Sequence, residues 1–287
     1  MNVDPRTIAA AALGRDPGPL TKADSRSNQV YLGADVVVKL NDRHTRLSRE
    51  VALTPHLPAG ITAPLLASGQ QDDVRYACYT RLPGSPPSMD AIDTKTARTL
   101  AAQAIDKLDR LHDWTPPAEA VPTLREYLDH GGFTSRESLQ QEIDRLRDKV
   151  PQHLVDGLNA IAKDAPERAK TTVPVHADCF WDNWLANGDT VTALLDFEWA
   201  RFGDPMDDWF FLIRFSGPHL AGVLDLVAET TSTPKDVLRT ECAAREAHFL
   251  AYDLRYALEQ EPAMVAGRLR DLEELIVGRH WGRNSKA

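Results

Sequence analysis

The chain has little cysteine, no basic excess and no long apolar run. Its three cysteines, Cys78, Cys179 and Cys242, stand far apart. That excludes a disulfide framework and paired metal-ligand spacing, and it suits a reducing compartment, so a cytoplasmic location is expected. No apolar stretch approaches the roughly 20 residues that span a bilayer. The opening MNVDPRTIAAAALGRDPG has an alanine-rich run but no basic n-region, so no signal peptide is expected. There is no internal repeat, no Walker A loop and no Gly-x-Gly-x-x-Gly loop, so neither familiar phosphate-binding signature is available. The net charge of −9 is uneven: residues 1–84 hold ten Lys/Arg against eight Asp/Glu, residues 85–287 hold 23 against 34. Such a balance disfavours nucleic acid as a partner. It fits a cationic ligand held by the second part, or simply a soluble acidic surface.

What is present divides the chain in two. In 29-QVYLGADVVVKL-40, two β-rich runs flank a turn at Gly33-Ala34-Asp35. A helix is predicted over 42-DRHTRLSREVALTPHL-57, N-capped by Asp42, with Leu47, Glu50, Val51 and Thr54 on one stripe. A further strand, 74-VRYACYTRL-82, runs into Pro83-Gly84-Ser85-Pro86-Pro87, which predicts a boundary between residues 1–84 and 85–287. The first part therefore reads as strands with one helix. Beyond it helical periodicity dominates, over roughly 91–114, 136–149, 151–164, 205–215, 218–229, 234–259 and 262–279. Between these helices, 172–176 and 184–196 read as short strands, the latter a hairpin turning at Asn187-Gly188. The fold class is α+β, a small β-rich N-lobe with a larger, mainly helical C-lobe.

Residues 175–208 hold eight acidic side chains and one basic, Arg201, several of them among apolar neighbours. Like charges near a core are costly, so something positive should complete the site. With Asn187-Gly188 as a two-residue turn, Leu185 faces Thr190 and Trp184 faces Val191. Continuing that register puts Asp196 beside the loop that carries Asp178 and Asn183. Two carboxylates and an amide then converge, an oxygen set that suits Mg²⁺. A carboxylate near such an ion but not bound to it could take a proton from an attacking hydroxyl. Asp204 before Pro205 reads as an N-cap, and Asp207 and Asp208 as first-turn residues favoured by the helix dipole. Lys39, ending an apolar strand, should either snorkel outward or meet an anion.

At these residues the chain resembles the aminoglycoside phosphotransferase and choline kinase families, which share a bilobal protein-kinase-like fold. The resemblance rests on His176-Ala177-Asp178-Cys179-Phe180-Trp181-Asp182-Asn183, then Leu195-Asp196-Phe197-Glu198, then Gly203-Asp204-Pro205-Met206-Asp207-Asp208, in order and at family spacing. It implies a kinase that uses Mg²⁺ and ATP or GTP, with Asp178 as base or orienter of the acceptor hydroxyl, Asn183 and Asp196 as metal ligands and His176 as a brace. The sequence departs at Ala177, where glycine is common, and at Asp182, where a small residue is usual. Asp182 and Glu198 are candidate contacts for a substrate ammonium.

On the nucleotide side, the resemblance matches Ser25-Arg26-Ser27-Asn28-Gln29-Val30-Tyr31 to a phosphate-holding turn, so Ser27 and Asn28 are candidates. It makes Lys39 and Glu50 an ion pair that holds the α- and β-phosphates, and Cys78 and Tyr79 the hinge that reads the purine edge. His112 is expected to pack and hydrogen-bond. The acidic second part favours a polycationic acceptor, an aminoglycoside or a basic cyclic peptide, with Glu241, Glu246, Asp253, Glu259 and Glu261 as a possible wall. Phosphorylation would then confer resistance or self-protection. The alternatives are a metabolic kinase for choline, an amino alcohol or a sugar, for which Trp181, Trp184, Trp199 and Trp209 could form an aromatic box, and a non-catalytic binding protein of the same fold.

Overall fold

The computed structural model describes residues 4–25, 28–41, 46–128, 132–170, 172–278 and 281. Helix α1 (Pro5–Leu13) opens the chain, and its helical start is explicit: the Asp4 side chain accepts from Arg6 and Thr7 N–H, Pro5 leads the first turn, and Gly14 closes it at φ 67°. The sequence reading passed over this helix because its alanine-rich run carries little hydrophobic contrast. Strands β1 (Thr21–Lys22), β2 (Gln29–Leu32), β3 (Val36–Asn41), β4 (Leu65–Gln71) and β5 (Val74–Thr80) form one antiparallel sheet in the order β1-β2-β3-β5-β4. The short β1 and the largely exposed β4 were also not anticipated.

Alternation along β3 sets the two faces of that sheet. Val36, Val38 and Leu40 are buried against Ile8 and Ala9 of α1, together with Cys78 of β5. Val37 points the other way, among Leu47, Val51, Ala77 and Tyr79. Lys39 shares the face of Val37 and so is aimed at helix α2 (Leu47–Leu53). That helix is shorter than the predicted 42–57. Asp42, the expected cap, lies outside the described residues, Arg46 occupies the N-cap without a side-chain hydrogen bond, and Thr54–His56 tightens into a 3₁₀ turn containing Pro55.

Residues 81–93 lead to helix α3 (Thr94–His112), capped by Asp93, and then to α4 (Val121–Arg125), a short helix not foreseen. Helices α5 (Arg136–Leu146) and α6 (Gln152–Asp164) precede strand β6 (Val173–Val175). The hairpin β7 (Trp184–Asn187) and β8 (Thr190–Leu194) follows, then β9 (Arg201–Gly203), which pairs with β6. Helices α7 (Pro205–Arg214), α8 (Leu220–Thr231), α9 (Lys235–Gln260) and α10 (Val265–Gly278) complete the larger part. Helix α9 is its spine, packing against α5, α6, α7, α8 and α10. The fold is the bilobal, protein-kinase-like α+β arrangement, a β-rich N-lobe and a mainly helical C-lobe. No single helix among the described residues is long and apolar enough to cross a membrane.

The hairpin register differs from the sequence expectation. Asn187 pairs with Thr190 and Ala186 with Val191, so the turn residues are Gly188 and Asp189, and a bulge then carries the pairing to Leu185–Ala193 and Trp184–Leu194. Gly188, at φ 63°, takes the position that tolerates positive φ. The extra residue, Thr192, donates its hydroxyl to Pro83 O at 2.8 Å, so the bulge ties the hairpin to the linker.

The linker is also paired directly to the hairpin: Ser85 N–H donates to Ala186 O at 3.0 Å and Ala186 N–H to Ser85 O at 2.9 Å. Gly84, at φ 114°, makes this approach possible, since a Cβ there would lie 2.5 Å from Ala186 O. Gly84→Ala should therefore lower stability by about 1–3 kcal/mol. Gly188→Ala, at positive φ but with nothing within 4 Å of its added Cβ, should cost less, about 1 kcal/mol. Urea unfolding midpoints check this, and equal losses would show that crowding at Ala186 is not the cause.

Candidate active site

Strand β3 and helix α2 bring Lys39 and Glu50 together. Lys39 Nζ lies 2.7 and 3.0 Å from the two Glu50 carboxylate oxygens and 3.3 Å from Asp196 Oδ1. Burial opposes the charge on Lys39, but Glu50 and Asp196 outweigh it and hold the ammonium above its ordinary range. Burial lifts the Glu50 carboxyl against the pull of Lys39, with Asp196 and Glu198 adding to the lift. Asp196 follows β8 at φ 67°, a strained conformation for a non-glycine residue. Glu198, two residues on, is buried and accepts from Asn28 Nδ2 at 2.5 Å, while Asn41 Nδ2 donates to Asn28 Oδ1 at 2.6 Å. Carboxylate oxygens of Glu50, Asp196 and Glu198 all lie within 4.8 Å of one another. This oxygen-only set has the chemistry of a hard divalent cation site.

Residues 176–183 form a loop held from below by Asp208. The Asp208 carboxylate accepts from His176 N–H at 3.0 Å and Ala177 N–H at 2.7 Å, and pairs with His112 Nε2 at 2.9 Å. Burial opposes its charge, but the His112 hydrogen bond and charge, His176 and the Ala177 N–H hold Asp208 below its usual range. Ala177 has φ 64°, which explains on conformational grounds why glycine suits this position. His176 is fully buried. Its Nδ1 accepts from Asp178 N–H at 3.2 Å, so its Nε2 carries the proton donated to Leu195 O at 2.8 Å. Burial lowers its pKa, Asp208 notwithstanding, so it is a neutral brace between loop and hairpin.

Asn183 joins the two halves of the site. Its Nδ2 donates to Asp178 O at 2.7 Å and to Asp178 Oδ2 at 3.2 Å, and its carbonyl accepts from Leu195 N–H at 2.7 Å, one residue before Asp196. With Nδ2 so engaged, its Oδ1 is left for a cation. Burial, reinforced by Asp196, raises the Asp178 carboxyl well above its usual range, with only the Asn183 hydrogen bond pulling it down among the nearer influences. Desolvation next to a second carboxylate produces a proton acceptor that is costly to keep charged without a cation.

The structure redraws the nucleotide side. Cys78 and Tyr79 lie in β5, flanked by β3 and β4, so their main chain belongs to the sheet and is not free to read a base. Beyond it Thr80 N–H goes to Pro64 O and Arg81 N–H to Asp35 O. Among the described residues no hydrogen bond uses the Leu82 main chain, whereas Pro83 O and the Ser85 main chain are engaged by the hairpin. Ser27 lies outside the described residues. The Asn28 side chain is spent on Glu198 and Asn41, which leaves only its main chain for a phosphate. Arg49 was missed: from α2 it donates to Glu198 O at 3.1 Å and Ala200 O at 2.7 Å and pairs with Glu126, tying the lobes together. Its position one residue before Glu50 was the only sequence signal.

The acceptor side also differs from expectation. Asp182 is exposed, whereas Glu198 is turned toward Asn28 and the N-lobe. The proposed acidic wall is largely neutralised: Glu241 pairs with Arg245, Glu246 with Arg214, Asp253 with Arg268 and Glu259 with Arg255, and Glu261 is exposed. Trp181, Trp184 and Trp209 are core residues, and only Trp199 reaches a cavity. That cavity, about 150 Å³, is bordered by Asp178 and walled mainly by aromatic rings.

A family model described as the phosphotransferase enzyme family matches residues 21–236. No curated protein matches the chain. Among solved structures, a thermostable mutant of aminoglycoside phosphotransferase APH(4)-Ia in ternary complex with AMP-PNP and hygromycin B is similar, with TM-score 0.67 and 15% identity, covering 96% of this chain and 99% of that one. The gentamicin complex of APH(2")-IIa has TM-score 0.67 and 15% identity over 96% and 97% of the two chains. The streptomycin–ATP–APH(2")-IIa ternary complex has TM-score 0.61 and 16% identity over 96% and 99%.

Asp178→Asn should stabilise the nucleotide- and metal-free protein at pH 7.5 by roughly 1 kcal/mol, because an amide of the same shape removes a desolvated charge beside Asp196. The sign follows from the raised pKa. The penalty is fully present above the folded-state pKa of Asp178, shrinks as pH falls below it, and vanishes below the unfolded-state pKa, where the wild-type carboxyl is protonated in both folded and unfolded protein. Denaturant unfolding at pH 7.5 and 4 checks this. A variant less stable at pH 7.5 would show that the Asn183 bond outweighs the repulsion.

Proposed function

The chain belongs to the phosphotransferase enzyme family, and we propose from that premise that it transfers the γ-phosphoryl group of ATP or GTP to a hydroxyl of a small molecule. The observation that carries this reading is the convergence of Lys39–Glu50, Asp196, Asn183 and Asp178 at one place, contributed by β3, α2, the loop 176–183 and the end of the hairpin. We assign residues 1–84 to nucleotide binding and 85–287 to catalysis and acceptor binding. Lys39, kept charged and oriented by Glu50, holds phosphate oxygens. The free main-chain groups of Leu82 receive the base.

Asp196, with Asn183 Oδ1, would hold Mg²⁺, and Glu198 stands close enough to orient it or share it. When bound, that ion supplies charge neutralisation for the phosphates. Asp178 orients the acceptor hydroxyl and takes its proton as the oxygen bonds to the γ-phosphorus and the bond to the β–γ bridging oxygen breaks, releasing the nucleoside diphosphate. Asn183 and the buried His176 keep the Asp178 carboxylate in place.

Aminoglycosides are named in the similar structures and make the first acceptors to test; if the acceptor is an antibiotic, the added dianion would serve resistance or self-protection. The net acidity of residues 85–287 is weak support for a polycation, since the acidic side chains expected to meet it are mostly paired with arginines. A choline-type box draws still less support, with three of its four tryptophans in the core.

Nucleotide-dependent phosphorylation of a mixed alcohol panel, followed by NDP release and product mass, tests the proposal. Asp178→Asn should lower kcat by about 10²–10⁴-fold with Mg·ATP affinity retained, and Lys39→Ala should weaken nucleotide binding instead. Undiminished turnover in Asp178→Asn would remove this residue from the mechanism.

A further inference from the structure

Resting on the kinase reading above, we propose that the acceptor presents its hydroxyl to Asp178 on a largely apolar, uncharged scaffold carrying an oxygen acceptor nearby, and is not a polycationic amine. The cavity bordered by Asp178 is walled by Phe133, Trp199, Phe210, Phe211 and Phe249. Phe210, Phe211 and Phe249 contact one another at ring-centroid distances of 5.0 to 6.4 Å, so they form one continuous apolar surface. Its volume, about 150 Å³, takes one ring or side group of an acceptor and leaves the remainder outside.

Charge points the same way. Among the described residues, the charged side chains lining this cavity are Asp178, Arg201, Asp207 and Arg245. Asp207 is spent twice, on Arg201 Nη2 at 2.8 Å and Arg245 Nε at 2.9 Å. Asp178 is then the one lining carboxylate without a guanidinium against it, and it is reserved for the hydroxyl proton. An acceptor with several ammonium groups would find, besides Asp178, no unpaired acid among the described residues that line this cavity.

Aromatic rings can themselves hold a cation, but two of these already face arginines of the protein. The Arg46 guanidinium lies 3.7 Å over the Trp199 ring, and that of Arg245 lies 5.4 Å from the Phe133 centroid. Arg245 supplies a further cue. Its Nη2 is buried and makes no hydrogen bond, with Asp204 Oδ2 3.4 Å away. A guanidinium nitrogen with an ion-pair contact but no hydrogen bond, on a residue that lines the cavity, suits a carbonyl or ether oxygen on the acceptor.

The test compares kcat/KM for uncharged hydroxylated lactones and aryl glycosides with that for kanamycin and gentamicin, in the full chain with Mg·ATP. The uncharged set should lead by roughly tenfold or more, and Phe211→Ala and Phe249→Ala should each raise the acceptor KM by roughly tenfold with Mg·ATP affinity unchanged. Turnover confined to or led by the aminoglycosides, silence from the uncharged set, or acceptor kinetics indifferent to both substitutions would each overturn the inference. Affinity for a fluorescent ATP analogue, measured in parallel, separates these outcomes from failure of the kinase reading itself. A protein that binds no Mg·ATP would end that reading, and this inference with it.

Discussion

A fully buried carboxylate, Asp208, is the constraint on which the site depends. It sits in the first turn of α7, where the helix start favours negative charge, and spends its oxygens on the main-chain N–H groups of His176 and Ala177 and on His112 of α3. One side chain thus fixes the loop that carries Asp178 to two helices of the core. The positive φ of Ala177 and the buried, neutral His176 follow from that attachment. The helix start is itself built for the purpose, with Asp204 as its N-cap and Pro205 in its first turn.

Above this anchor the structure concentrates negative charge, with Lys39 paired directly against it. Glu50, Asp196 and Glu198 crowd within contact range, and Lys39 reaches only the first two. Asp178 lies beside them, desolvated and, among the described residues, without a basic partner. Such an arrangement is costly by itself, and the divalent ion proposed above would relieve it. On the proposed function the unfavourable electrostatics would prepare the site for binding, since groups held in this way need not reorganise when substrate arrives.

Elsewhere the protein disposes of its acidity locally. The acids of α9 look free along the sequence, yet Arg245, Arg214, Arg255 and Arg268 each take one or more of them. Two consequences meet at the cavity beside Asp178. Among the described residues its other lining carboxylate, Asp207, is already engaged, and aromatic rings form much of its wall. Net charge counted over a lobe therefore says little about the field at any one site, because ion pairs within one helix and between helices cancel it before a ligand can sense it.

The lobes, most helices and the order of the polar motifs were legible in the sequence because they rest on local rules. Strand alternation aims Lys39, 3.6-residue periodicity marks the C-lobe helices, and Asp-Pro opens α7. Helix α1 obeyed the same rules, but an alanine-rich run carries too little hydrophobic contrast to stand out. Only the tertiary structure decided the rest. The hairpin turned at Gly188-Asp189, and a bulge at Thr192, whose hydroxyl meets Pro83 O in the linker, shifted its register further. Cys78 and Tyr79 were absorbed by strands on both sides. Glu198 turned to Asn28, 170 positions away, and the aromatic cavity drew Phe133, Trp199 and Phe249 from three separate segments. Contacts of that kind depend on which surfaces meet once the helices pack, and no spacing along the chain records them.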